Sequence, residues 1–274
     1  MILINGKPND SISAQDRGLH YGDGVFETIA VLNGQSLCWQ RHMDRLVRGC
    51  ERLGINCPPE LLLQEESGRL CSNVGKGVLK LIVTRGTGGR GYQPAADSDT
   101  TRIISLYDWP DYPHDYQNEG VRSCFCEARL GHNPQLAEIK HLNRLEQVIL
   151  QSELASHNVP EGIALDISGH VIEGVRSNIF SVTGDTLTTP DLSQCGIAGI
   201  IRQIILENAA ELGLKISVGT VTKDDLFNAD EIFFCNSIIG VWPVIQLEQK
   251  QLDVGHYTNE LKKMLSAMGA IVTA

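Results

Sequence analysis

The sequence predicts an α+β protein of two domains. A chain of 274 residues exceeds one comfortable small core. Stretches with helical spacing occur beside runs that read as strands. A polar, proline-bearing segment, DWPDYPHDYQNE at 108–119, interrupts the chain as a linker would. The expected division is a small α/β domain at 1–107 and a larger domain at 120–274. Closely spaced short strands in the second half suggest a barrel-like or strongly curved sheet.

In chain order, residues 2–4 read as a strand and Asn5-Gly6 as a turn. Glycine-rich DRGLHYGDGVFET leads into an apolar run, Val25 to Leu32. Asn33-Gly34 marks a tight hairpin, with Leu37 to Trp39 as the returning arm. RHMDRLVRGCERL then carries Met43, Leu46, Val47 and Leu53 at helical spacing, and Gly54 stops it. Its arginines, 41, 45, 48 and 52, recur on the polar side, which for most of them describes a solvated face. A helix is expected from Glu60 to about Val74, and strands at 78–84 and 102–107. Between those strands RGTGGRGY reads as a mobile loop able to bring a guanidinium to an anion, or as a plain surface turn. In the second half, strands are expected at about 120–127, 162–167, 170–174, 178–183, 215–219, 230–235 and 241–247. Helices are expected over Ile200–Leu212 and near 257–268.

A formal net charge of −10 argues against a general nucleic-acid binder. It leaves room for small anionic substrates, because a few arginines in a cleft reverse the local field. No apolar run approaches a membrane span, and MILINGKPND does not read as a signal peptide. Eight scattered cysteines read as reduced thiols of a cytoplasmic protein. Cys124 and Cys126 read as core filling.

The stretch most suggestive of chemistry is LGHNPQLAEIKHLNRLEQVIL, 130–150. It begins as a loop and ends as a helix whose apolar face would be Leu142, Leu145, Val148 and Ile149. Lys140 sits at the changeover between apolar neighbours, where burial could lower its pKa and make the amine a nucleophile toward a carbonyl. By spacing alone it reads more readily as a surface lysine with its stem along apolar groups.

IKHLNRLEQ resembles the lysine segment of fold-type IV pyridoxal-phosphate enzymes, and within them the aminodeoxychorismate lyase branch. DRGLHYGDGVFET, HMDRL, RGTGGRGY, LGHNP, EGVRSNIF and AGIIRQ match in order, covering nearly the whole chain. Glu173 and Asn178 are spaced as in the class IV aminotransferase signature, which continues through Leu187, Thr189, Gly199, Ile200 and Arg202. Val175 departs from it, since small residues are usual there. The resemblance implies pyridoxal 5′-phosphate as cofactor, with Lys140 for the aldehyde and Glu173 for the pyridine nitrogen. It implies a phosphate clamp of the Ile200 and Ile201 amides, Arg45 and Ser237, with Asn178 nearby. Thr28 and Phe26 would face the substrate, and Arg90 and Tyr92 would hold its carboxylates. The implied reaction turns 4-amino-4-deoxychorismate into 4-aminobenzoate and pyruvate, in folate synthesis. Transamination of D-amino or branched-chain amino acids is the alternative on the same fold. A homodimer with its site between the two domains is also implied.

Overall fold

The computed structural model describes residues 1–95 and 98–273. It is a mixed α+β structure whose chain divides into two compact units, Met1–Pro110 with Ile139–Asn143, and Asp111–Glu138 with Arg144 onward. The segment around Lys140 therefore packs with the first unit, whereas its sequence position places it in the 120–274 stretch.

The first unit is built on a sheet of β1 (Ile2–Ile4), β2 (Lys7–Pro8), β3 (Gly24–Leu32), β4 (Gln35–Ser36), β5 (Lys76–Thr84) and β6 (Thr101–Asp108), in the order β2-β1-β6-β5-β3-β4. Helix α1 (Arg17–Tyr21) precedes β3, and α2 (Trp39–Leu53) and α3 (Glu60–Cys71) follow β4. Asn33 and Gly34 both take positive φ, 51° and 80°, the pair a two-residue hairpin turn requires. The returning arm is only Gln35–Ser36, because Cys38 turns left-handed and starts α2 at Trp39. Along β3, Val25, Glu27, Ile29 and Val31 are buried while Phe26 and Thr28 on the other face are half-exposed. The buried face meets Met43, Leu46 and Cys50 of α2 and Leu63 and Leu70 of α3; burying each leucine or methionine contributes about 2 kcal/mol. Gly49 lets α2 approach β3 closely, since a Cβ there would lie 2.9 Å from Val25 Cγ1.

The second unit opens with α4 (Asp115–Asn118), inside the stretch read as a linker. A three-stranded sheet runs β10 (Val171–Gly174), β9 (Ile163–Asp166), β8 (Phe125–Leu130). The larger sheet contains β11 (Asn178–Thr183), β12 (Thr186–Pro190), β13 (Lys215–Gly219), β14 (Glu231–Asn236), β15 (Gly240–Leu247) and β16 (Lys250–Gln251). Its order is β13-β12-β11-β14-β15-β16, with β7 (Val121–Ser123) joining β15 in parallel. No sheet among the described residues closes on itself, so the barrel-like or strongly curved sheet expected from strand spacing is not confirmed. Strand spacing reports how often the chain turns, not whether the last strand meets the first. Helices α5 (Leu145–His157), α6 (Ile200–Asn208), α7 (Lys223–Asn228) and α8 (His256–Ala267) complete the unit. A 3₁₀ turn, Ala209–Leu212, ends the 200–212 helix, and Gly213 caps it at φ 79°. Cys124 and Cys126 are buried in one apolar cluster with Leu130, Leu150 and Leu154.

Helix α5 buries a different face from the one its spacing suggests. Leu150 and Leu154 point inward, whereas Leu145, Val148 and Ile149 are 77%, 58% and 55% exposed. Apolar residues lie on both sides of this helix, so periodicity alone could not choose between them.

Candidate active site

Lys140 does not sit where loop becomes helix. It lies five residues before α5, in an extended segment held along β3. Phe26 N–H donates to the Lys140 carbonyl and Leu142 N–H to the Gly24 carbonyl, both at 2.9 Å, with Val25 bridging His141. The half-buried Lys140 ammonium lies 4.5 Å from the centre of the Phe26 ring, an attractive placement for a cation. The Phe26 and Thr28 side chains share a face of β3. The residue paired with Thr28 on β5 is Lys80, whose ammonium lies 5.5 Å from the same Phe26 ring. Sequence reading passed over Lys80; only the β3–β5 register brings it here.

On the opposite face of β3, Glu27 is fully buried. Its two oxygens accept from Arg45 Nε at 2.8 Å and Arg45 Nη2 at 2.6 Å, and His42 Nδ1 lies 2.7 Å from Oε2. Burial by itself would raise the Glu27 pKa. The Arg45 guanidinium and His42 overcome it and hold the carboxyl at about 2. Burial also pulls His42 below its ordinary range, against Glu27, and the charges of Arg45 and Lys140 add to the lowering. Arg45 is therefore not on a solvated face. His42 and Arg45, three apart on α2, both lie in its buried stripe. The only prior signal was a charged residue, Glu27, alternating in phase with the apolar positions of a strand.

The glycine loop after β5 is pinned rather than loose. The buried Arg17 donates to the carbonyls of Gly91 and Tyr92, at 2.9 and 3.1 Å, and to Asp23. Asp23 also accepts two bonds from Arg85. Arg90 and Tyr92 stand exposed at the loop tip, with Tyr92 against Tyr21.

In the second unit, Glu173 lies one residue before the end of buried β10 and is itself 4% exposed. One of its oxygens accepts the Ile197 N–H at 2.9 Å, and Asn178 Nδ2 donates to the Ile197 carbonyl at 2.8 Å. These two side chains hold the turn that opens α6. Gly199 caps that helix without a side-chain hydrogen bond, so the amides of Ile200 and Ile201 form the kind of helix start that binds anions. A Cβ on Gly199 would fall 2.0 Å from Asn178 Oδ1, and one on Gly196 would meet Ile172, Leu192 and Glu173. Ser237 follows β14 in the turn to β15, two residues beyond Cys235, the partner of Asn178. Half-buried Arg144 is drawn below its ordinary pKa by burial, which the charges of Glu173 and Glu146 oppose. Ser177 Oγ, inside the same motif, is buried and finds no hydrogen-bond partner among the described residues, a polar atom of the kind a ligand satisfies.

The donors present fit a phosphorylated pyridine aldehyde. The first unit holds a primary amine beside an aromatic ring, and the second holds a buried carboxylate and a helix start with no room for side chains around it. The family described as amino-transferase class IV matches residues 24–247. The chain belongs to the class IV aminotransferase family. Enzymes of this family are pyridoxal-phosphate dependent. Among family members, the aminodeoxychorismate lyase of Vibrio harveyi is 34% identical over 271 residues, 97% of this chain and all of that one. The solved 4-amino-4-deoxychorismate lyase of Pseudomonas aeruginosa is 43% identical, with TM-score 0.93, covering 97% of this chain and 98% of that one. The family's transaminases are similar too: a D-alanine aminotransferase of Bacillus licheniformis is 29% identical over 262 residues, 93% of this chain and 90% of that one.

Proposed function

We propose that the protein is a pyridoxal-phosphate-dependent lyase that converts 4-amino-4-deoxychorismate to 4-aminobenzoate and pyruvate, a step toward folate. The observation that carries this reading is the near-complete coverage, at 34% and 43% identity, by two proteins named for that lyase. When bound, the cofactor supplies an aldehyde for amines and a protonated ring that draws electron density from the substrate carbon. Lys140 Nζ would hold the aldehyde until the substrate amine displaces it, and the freed amine would then take the substrate C4 proton. Glu173, kept in place by the Ile197 N–H, meets the pyridine nitrogen and favours its protonated form. The Ile200 and Ile201 amides, Arg45 and Ser237 hold the phosphate, and Asn178 shapes the turn. Enolpyruvate leaves from C3 as the ring becomes aromatic, with Lys140 or Thr28 able to supply or relay a proton to it, and Phe26 walls the substrate. Arg90 and Tyr92 meet substrate carboxylates.

We also infer a cytoplasmic homodimer. All eight cysteines are free thiols, as a reducing compartment keeps them, and the exposed apolar face of α5 suits a second copy. No helix among the described residues is long and apolar enough to cross a membrane.

The test is an assay of purified enzyme with aminodeoxychorismate, against D-alanine or a branched-chain amino acid with 2-oxoglutarate. Release of 4-aminobenzoate and pyruvate with only slow transamination supports the lyase; the reverse ranking supports the transaminase. Borohydride treatment should fix the yellow cofactor to Lys140, and a label on another lysine overturns its role.

A further inference from the structure

We propose that Glu27 and His42 are positioning residues that set the Arg45 guanidinium for the cofactor phosphate. This rests on the reading of Arg45 as part of the phosphate clamp. Glu27 stands out because a strand's apolar face carries a carboxylate with no solvent. Burying a charge costs several kcal/mol unless it is paired in good geometry. Here the geometry is two-pronged. Arg45 offers Nε and Nη2 to the two Glu27 oxygens at 2.8 and 2.6 Å, which fixes the plane of the guanidinium as well as its position. His42 braces Oε2 from the side at 2.7 Å, so the carboxylate cannot rotate without breaking a second bond.

A long, rotamer-rich arginine loses entropy when it grips an anion. Glu27 restrains that side chain before any ligand arrives. It stays ionised at every ordinary pH, so the restraint is permanent. The three residues reach one another because His42 and Arg45 share the buried stripe of α2, and Gly49 allows that helix close to β3. Two tasks are thus separated in the proposed clamp. Arg45 touches the ligand, and the pair beneath it sets the angle at which it does so.

The experiment compares the affinity of the cofactor-depleted full chain for pyridoxal 5′-phosphate and for pyridoxal, which lacks the phosphate. The ratio of the two affinities reports the phosphate contacts and cancels losses that both ligands share. Glu27→Gln should lower that ratio about tenfold, with pyridoxal affinity changed no more than about twofold. His42→Gln, which keeps the carboxylate but removes its brace, should lower the ratio by a smaller factor. It supplies a second reading if Glu27→Gln does not fold. Arg45→Ala separates the two layers of the argument. If Arg45→Ala lowers the ratio and neither Glu27→Gln nor His42→Gln does, the positioning role is wrong while the clamp stands. If Arg45→Ala leaves the ratio unchanged, the clamp reading fails. A purely structural pair would lower the melting temperature and leave the ratio at the wild-type value, which overturns the proposal.

Discussion

Phe26 donates its main-chain N–H to the carbonyl of Lys140 at 2.9 Å, while its ring lies 4.5 Å from that residue's ammonium. The lysine's backbone is thus fixed by hydrogen bonding along a strand, independently of its side chain. Lys140→Ala should therefore abolish turnover, by about a thousandfold or more, and change stability by less than about 1 kcal/mol. Melting curves with product assays check both parts; near wild-type product formation contradicts the catalytic role.

Glu173 serves a backbone amide as well as its proposed electronic task. Glu173→Gln retains an oxygen for the Ile197 N–H but cannot favour a protonated ring. Turnover should fall about a hundredfold while cofactor affinity falls less than tenfold. Titration with cofactor beside steady-state kinetics separates the two. Equal losses in both would assign Glu173 to holding the turn alone.

Gly199 has extended backbone, φ −70°, so the constraint on it is space. In Gly199→Ala the new methyl would meet Asn178 Oδ1 at 2.0 Å. The variant should lose about 1–3 kcal/mol and release its cofactor faster. Adding Asn178→Ala removes the obstructing atom, so the double variant should be less unstable than the summed single effects. Additive losses on thermal unfolding would mean that the two side chains do not compete for that space.

The Glu27 carboxyl is depressed from 4.5 to about 2. The unfolded chain takes up this proton first, so the stabilisation is complete above about pH 4.5 and disappears as pH falls toward 2. The loss is on the order of 3 kcal/mol. His42, also held below its ordinary pKa, adds a loss of the same sign beginning as pH falls below its unfolded value. Denaturant midpoints should therefore drop steeply in acid, and Glu27→Gln should flatten the lower part of that slope. An unchanged slope would show that other carboxyls carry it.

Leu145, Val148 and Ile149 expose an apolar face on α5. If this face carries the proposed dimer contact, Leu145→Glu with Val148→Glu should leave a folded monomer in sedimentation where the unsubstituted protein sediments as a dimer. A sedimentation profile identical to wild type would place the dimer contact elsewhere.

Local rules made much of this protein legible in advance. Asn33-Gly34 had to turn, Gly54 and Gly213 had to stop helices, and the apolar run from Val25 to Leu32 had to be a strand. The motifs around Lys140, Glu173 and Gly199 pointed to the proposed chemistry through their resemblance to a family. These are properties of neighbours in the chain, which sequence contains directly. Three features depended on packing between distant segments. The 139–143 segment lies along β3 because main-chain groups far apart in sequence pair there. Arg45 leaves the solvated face because Glu27, eighteen positions earlier, is buried opposite it. The face α5 buries was settled by what lay beneath the helix, since apolar side chains were available on both sides. Sequence determines which residues are able to do chemistry; tertiary structure decides which of them are held still, because a restraint on a side chain comes from whatever the fold places against it.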